Sequence, residues 1–149
     1  KARQDMALGS VLAGVAMDQA GLGLVHTISS PLCTFFHMAH GEANAVLLKY
    51  CMRYNLIARP ERYADIAGLL GVDTAGMSTW QAAEASVAAV ERLLDETGVK
   101  VPLLSFGMTE ADAERVADNL PGFMLCNNPR TMDRKQCIRF YKEILADQA

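Results

Sequence analysis

The residues of this chain best suited to chemistry lie close together. All three histidines, His26, His37 and His40, fall within residues 21 to 41, a stretch with no formal charge. Between Asp5 and Glu42 the only charged residue is Asp18, whereas residues 42 to 149 hold 27 of the 31 Asp, Glu, Lys and Arg side chains. Neutral imidazole is a common ligand of divalent transition metals, and a dry setting leaves the coordination under protein control. His37 and His40, three apart, would share a face of a helix and could chelate one ion. His26 precedes His40 by fourteen residues, a separation that suits ligands brought in by two successive elements. Against this, a lone histidine in an apolar segment is commonly a hydrogen-bonded core residue, and no Asp, Glu or Cys completes the set. Spacing alone leaves both readings open.

Helices must position these rings. Residues 6–18 are Ala- and Leu-rich with small residues at Gly9, Ser10 and Gly14, an all-round apolar pattern that predicts a buried helix. Gly21-Leu-Gly23 resembles part of a dinucleotide fingerprint, but it lacks the third glycine and follows a helix, so it reads as a helix-ending turn. From 41 to 54, Ala43, Val46, Leu47, Tyr50 and Tyr54 recur at helical spacing. Pro60 suits the first turn of the next helix, with Tyr63, Ile66, Leu69 and Leu70 inside and a stop at Gly71.

Ser78 and Gln81 form a capping-box signature before Trp80, Ala83, Val87, Val90 and Leu94, and Gly98 ends that helix. Thr109 with Asp112 starts a short helix that Pro121-Gly122 ends. Thr131 is the predicted cap of the last helix, whose inner face is Cys137, Ile138, Tyr141, Ile144 and Leu145. No alternating strand pattern survives. The fold class is all-α, a multi-helix bundle forming one helical domain over residues 1–149.

Composition narrows the function classes. A net charge of −3 and the lack of a Lys/Arg cluster exclude an electrostatic nucleic-acid surface. The apolar run 6–17 is shorter than the roughly 20 residues a bilayer span needs, and it lacks a signal-peptide cleavage pattern. Cys33, Cys51, Cys126 and Cys137 contain no Cys-x-x-Cys pair and read as reduced thiols, mostly buried, in a cytoplasmic protein.

The run Ala20-Gly-Leu-Gly-Leu-Val-His26, continuing through His37-Met-Ala-His40-Gly-Glu-Ala-Asn-Ala to Leu48, resembles the C-terminal signature of iron-containing (group III) alcohol dehydrogenases. The likeness extends through Arg53-Tyr-Asn55, the segment 60–67 and Asn128-Pro-Arg130, nearly the whole chain. It implies that His26 and His40 are two of four protein ligands of a divalent metal, ferrous iron or zinc. It also implies that an aspartate and a histidine upstream supply the others. It further implies an NAD- or NADP-linked oxidoreductase acting on a small alcohol or carbonyl substrate and assembling as a homo-oligomer. On this reading the chain corresponds to the C-terminal half, and its partner is an N-terminal dinucleotide-binding half.

Some positions depart from the pattern. Ser30 stands where many members carry a histidine near the nicotinamide, Cys33 where glycine is usual, and Lys49 where proline is common. His37 has no family role and reads as a pocket or surface residue. Leu24, Phe35 and Phe36 read either as pocket walls or as ordinary core. Two expectations follow: a metal-contributing domain that is inactive alone, or a non-catalytic helical scaffold derived from the family.

Overall fold

The computed structural model describes residues 1–99, 102–121 and 126–149. Among these residues the regular structure is helical and no strand occurs. The α-helices are α1 (Ala2–Ala20), α2 (Leu24–Phe36), α3 (His40–Leu56), α4 (Pro60–Leu69), α5 (Thr79–Glu96), α6 (Ala113–Ala117) and α7 (Arg134–Asp147). Two 3₁₀ turns, Leu103–Phe106 and Glu110–Asp112, lead into α6.

The core forms around α2 and α3. Leu24, Ile28 and Leu32 repeat every four residues along one face of α2, and each is at most 1% exposed. They share one cluster with Ala43, Leu47 and Cys51 of α3, Val116 of α6, and Cys137, Tyr141 and Ile144 of α7. Burying each of the three α2 side chains contributes about 1.5–3 kcal/mol, so this stripe fixes where α2 lies. A second cluster joins Met52 and Leu56, at the far end of α3, to Ala83, Val87 and Val90 of α5, with Tyr63, Ile66 and Leu70 packed against it. The α4–α5 hairpin thus braces one end of α3 and leaves the other, with His40, at the histidine-rich segment.

Several expectations need correction. No residue of α1 is buried, and Met6, Leu8, Val11 and Leu12 are 75%, 60%, 62% and 60% exposed. The cause is local: Gly21 takes a φ of 73°, α1 and α2 diverge by 104°, and no described element packs along α1. Leu69 and Trp80 are also exposed; Trp80 lines an open groove with Arg53, Leu56 and Ile57 at the end of α3 rather than packing into the core. The last helix is capped by Asp133 rather than Thr131: the Asp133 carboxylate accepts from the Gln136 N–H, and the Gln136 side chain accepts from the Asp133 N–H. The Ser78–Gln81 and Thr109–Asp112 capping boxes form as expected. The helix that Thr109 initiates ends at Ala117, before Pro121, while Gly122 lies outside the described residues. Among the described residues, no single helix is long and apolar enough to cross a membrane.

Candidate metal centre

His26 lies in the first turn of α2, and His40 is the first residue of α3. Between them α2 ends at His37, whose backbone is left-handed with a φ of 54°. That turn reverses the chain, so His40 returns over the face of α2 that carries His26 and Cys33. His40 Nε2 then stands 3.2 Å from His26 Nδ1, with the ring centroids 5.1 Å apart. His37 is exposed at the break, so it does not share a helix face with His40 as spacing had suggested. The structure therefore brings together His26 and His40 and leaves His37 out.

The first turn of α2 is held from three directions. Gly23 at its N-cap has no side chain, and the Leu24 N–H donates instead to Asn128 Oδ1 at 3.1 Å, across 104 residues. Asn128 is locked in turn: it and Asn55 exchange amide hydrogen bonds of 2.9 and 2.8 Å, and its amide donates to the Arg130 carbonyl at 2.6 Å. A Cβ on Gly23 would come within 3.2 Å of Asn128 Oδ1, so the close approach favours glycine there. The Ser29 and Ser30 hydroxyls donate to the His26 carbonyl at 3.3 and 3.1 Å. Pro31 interrupts the helical N–H series, and the buried Tyr141 hydroxyl donates to the Ile28 carbonyl nearby. Ser30 thus serves the backbone of the turn that presents His26.

The electrostatics favour a neutral His26 ring. Burial pushes the His26 imidazole below its usual 6.5, and the neighbouring His40 pushes it the same way. Two nitrogens 3.2 Å apart, each about 2.1 Å from a shared ion, subtend about 100°, between octahedral and tetrahedral angles. The pair therefore fits a divalent transition metal. It supplies only part of a coordination sphere, because no group of three or more His, Cys, Asp or Glu converges among the described residues.

Polar neighbours that the spacing did not reveal surround the pair. The Asn44 amide nitrogen is 3.0 Å from His40 Nε2, while its oxygen is buried without a hydrogen-bond partner. Cys33 Sγ lies 3.8 Å from the other His40 ring nitrogen, Nδ1. An i, i+4 step from His40 identifies Asn44 in retrospect. Cys33 is found only once the reversal at His37 is known. Leu24 is core at 1% exposure, whereas Phe35 and Phe36 are half-buried beneath the Arg115 guanidinium. The cysteines are free thiols: burial raises Cys137 to about 12 and pushes Cys51 upward as well, which makes both unreactive.

Residues 1–145 match a family model described as Fe-containing alcohol dehydrogenase family, C-terminal. The chain belongs to this family. It is 42% identical over 144 residues to a 1,3-propanediol dehydrogenase of Citrobacter freundii, covering 96% of this chain and 37% of that protein. It is 38% identical over 141 residues to a lactaldehyde reductase of Escherichia coli (strain K12), covering 94% of this chain and again 37% of the relative. The crystal structure of a 1,3-propanediol oxidoreductase superposes with a TM-score of 0.89 at 40% identity, over 93% of this chain and 37% of that one. The all-α architecture is thus that of the C-terminal part of an iron-containing alcohol dehydrogenase. Membership implies metal and NAD(P) use in the full-length enzymes, and the chain spans little more than a third of their length.

Proposed function

We propose that this chain is the metal-contributing helical domain of an NAD(P)-linked alcohol dehydrogenase, with His26 and His40 as two ligands of a divalent ion, ferrous iron or zinc. The observation that carries the reading is the 3.2 Å approach of two imidazole nitrogens from different helices. A divalent ion held there would act as a Lewis acid on the oxygen of an alcohol, aldehyde or ketone while a nicotinamide exchanges hydride with the adjacent carbon. The work of this chain is to place that oxygen's binding position. The Leu24–Ile28–Leu32 stripe seats α2, Asn128 sets its first turn, and the His37 reversal carries His40 across. The two remaining ligands and the nicotinamide site are assigned to an N-terminal half. The exposed apolar sides of α1 support the same assignment, since they need a covering partner. A homo-oligomer and a cytoplasmic setting go with this proposal.

Reconstitution tests it. This chain, joined to the N-terminal half of a 1,3-propanediol dehydrogenase, is expected to bind one divalent ion and to reduce NAD(P)⁺ with small primary alcohols. His26→Ala and His40→Ala should each abolish the alcohol oxidation and sharply weaken binding of the ion. Steady NAD(P)H production by the pure 149-residue chain would refute the division of labour. The incomplete donor set favours one second reading, a non-catalytic helical scaffold. An assembled protein that folds yet binds no metal would select it.

A further inference from the structure

Cys33 occupies a position where the family resemblance leads one to expect glycine, and its sulfur reaches a proposed metal ligand. The contact is specific to one ring atom. Sγ lies 3.8 Å from His40 Nδ1, while Nε2 on the other side of the ring faces His26 Nδ1 at 3.2 Å and the Asn44 amide nitrogen at 3.0 Å. A neutral imidazole carries one ring proton and one lone pair. An amide N–H donated by Asn44 requires the lone pair on Nε2, which puts the proton on Nδ1, directed at sulfur.

On the Nδ1 side the helix start gives His40 no cap side chain to hold it. His40 opens α3 with Ala39 at the N-cap, which offers no side-chain bond, and is itself exposed. We propose that Cys33 is a positioning residue whose sulfur accepts the His40 Nδ1–H and so keeps the Nε2 lone pair turned toward His26. Outer partners of this kind orient metal-bound histidines and fix their tautomer. Sulfur is a weak acceptor, so its influence falls at the low end of what such partners exert. The purpose of this arrangement rests on the metal-centre reading, whereas the hydrogen bond itself does not.

The test separates the two. Long-range ¹H–¹⁵N correlation spectra of the metal-free 149-residue chain report which ring nitrogen of His40 is protonated. The expected result is Nδ1–H in the wild type, with a shift toward Nε2–H in Cys33→Ala. A parallel titration with Zn²⁺ alone, on this chain joined to the N-terminal half, should show affinity weakened about tenfold in the variant. Finding His40 as Nε2–H in the wild type would overturn the proposal, since Asn44 would then present its oxygen to the ring. A tautomer unchanged by Cys33→Ala would overturn it as well. Failure of the joined wild-type protein to bind Zn²⁺, with the Cys33-dependent tautomer intact, would instead count against the metal centre and leave this inference standing.

Discussion

Replacing Asn128 with alanine probes how a loop near the end of the chain governs a histidine near its beginning. The substitution removes four hydrogen bonds: those from the Leu24 N–H and the Asn55 amide to Oδ1, and those from Nδ2 to the Asn55 and Arg130 oxygens. Loss of the cap on α2 costs about 1 kcal/mol. Asn55 is 7% exposed, so stranding its amide adds about 1–3 kcal/mol. The expected destabilisation is therefore about 2–4 kcal/mol, read from urea unfolding of the chain by circular dichroism at unchanged m-value. Asn55→Ala combined with Asn128→Ala leaves no stranded side-chain amide, so the double variant should lose clearly less than the sum of the two single losses. A shift under about 0.5 kcal/mol for Asn128→Ala, or strict additivity in the cycle, would refute the argument that this one amide closes the turn.

Other expectations are simpler to state. His26→Ala and His40→Ala should each weaken Zn²⁺ binding in calorimetry by more than the about 10–100-fold that loss of an outer partner costs, and the double variant should show no specific heat. Because His26 titrates below 6.5 in the fold, the unfolded chain takes up that proton first; stability is unaffected above 6.5 and falls as the pH drops toward the folded value. Comparing urea midpoints at about pH 7.5 and about pH 5 for wild type and His26→Gln should show a smaller acid loss in the variant. Tyr141→Phe removes a buried hydroxyl bonded to the Ile28 carbonyl and should cost about 1 kcal/mol in the same unfolding assay, with the helical spectrum retained.

Helix positions were legible because they depend on local periodicity and caps, the Ser78–Gln81 box and the Gly21 turn among them. The His26–His40 pairing came instead from the family resemblance, spacing alone having put His37 beside His40. Burial was less legible, since a pattern states what a residue needs and not what the chain supplies. The side chains of α1 ask for burial on all sides, yet no described element of this chain covers them. Trp80 and Leu69 fit helical spacing yet stay exposed, Trp80 at an open groove beside the end of α3. The partners of the site were least legible. Asn128 caps a helix 104 residues away through a backbone N–H, a bond that leaves no trace in residues 21–26. Cys33 meets His40 only because a non-glycine residue takes a left-handed turn at His37.

The long reach of that cap has a consequence in time. During synthesis Leu24, at the start of the helix that carries His26, leaves the ribosome well before the amide that caps it, which follows 104 residues later. At about 5–20 residues per second, the delay is about 5–20 s. Throughout that interval the first turn of α2 has neither its cap nor the Tyr141 hydroxyl, so nascent chains shorter than this hold the histidine on an unfinished helix. A rare-codon stretch placed between the two positions would lengthen the exposure without altering a single residue of the finished protein.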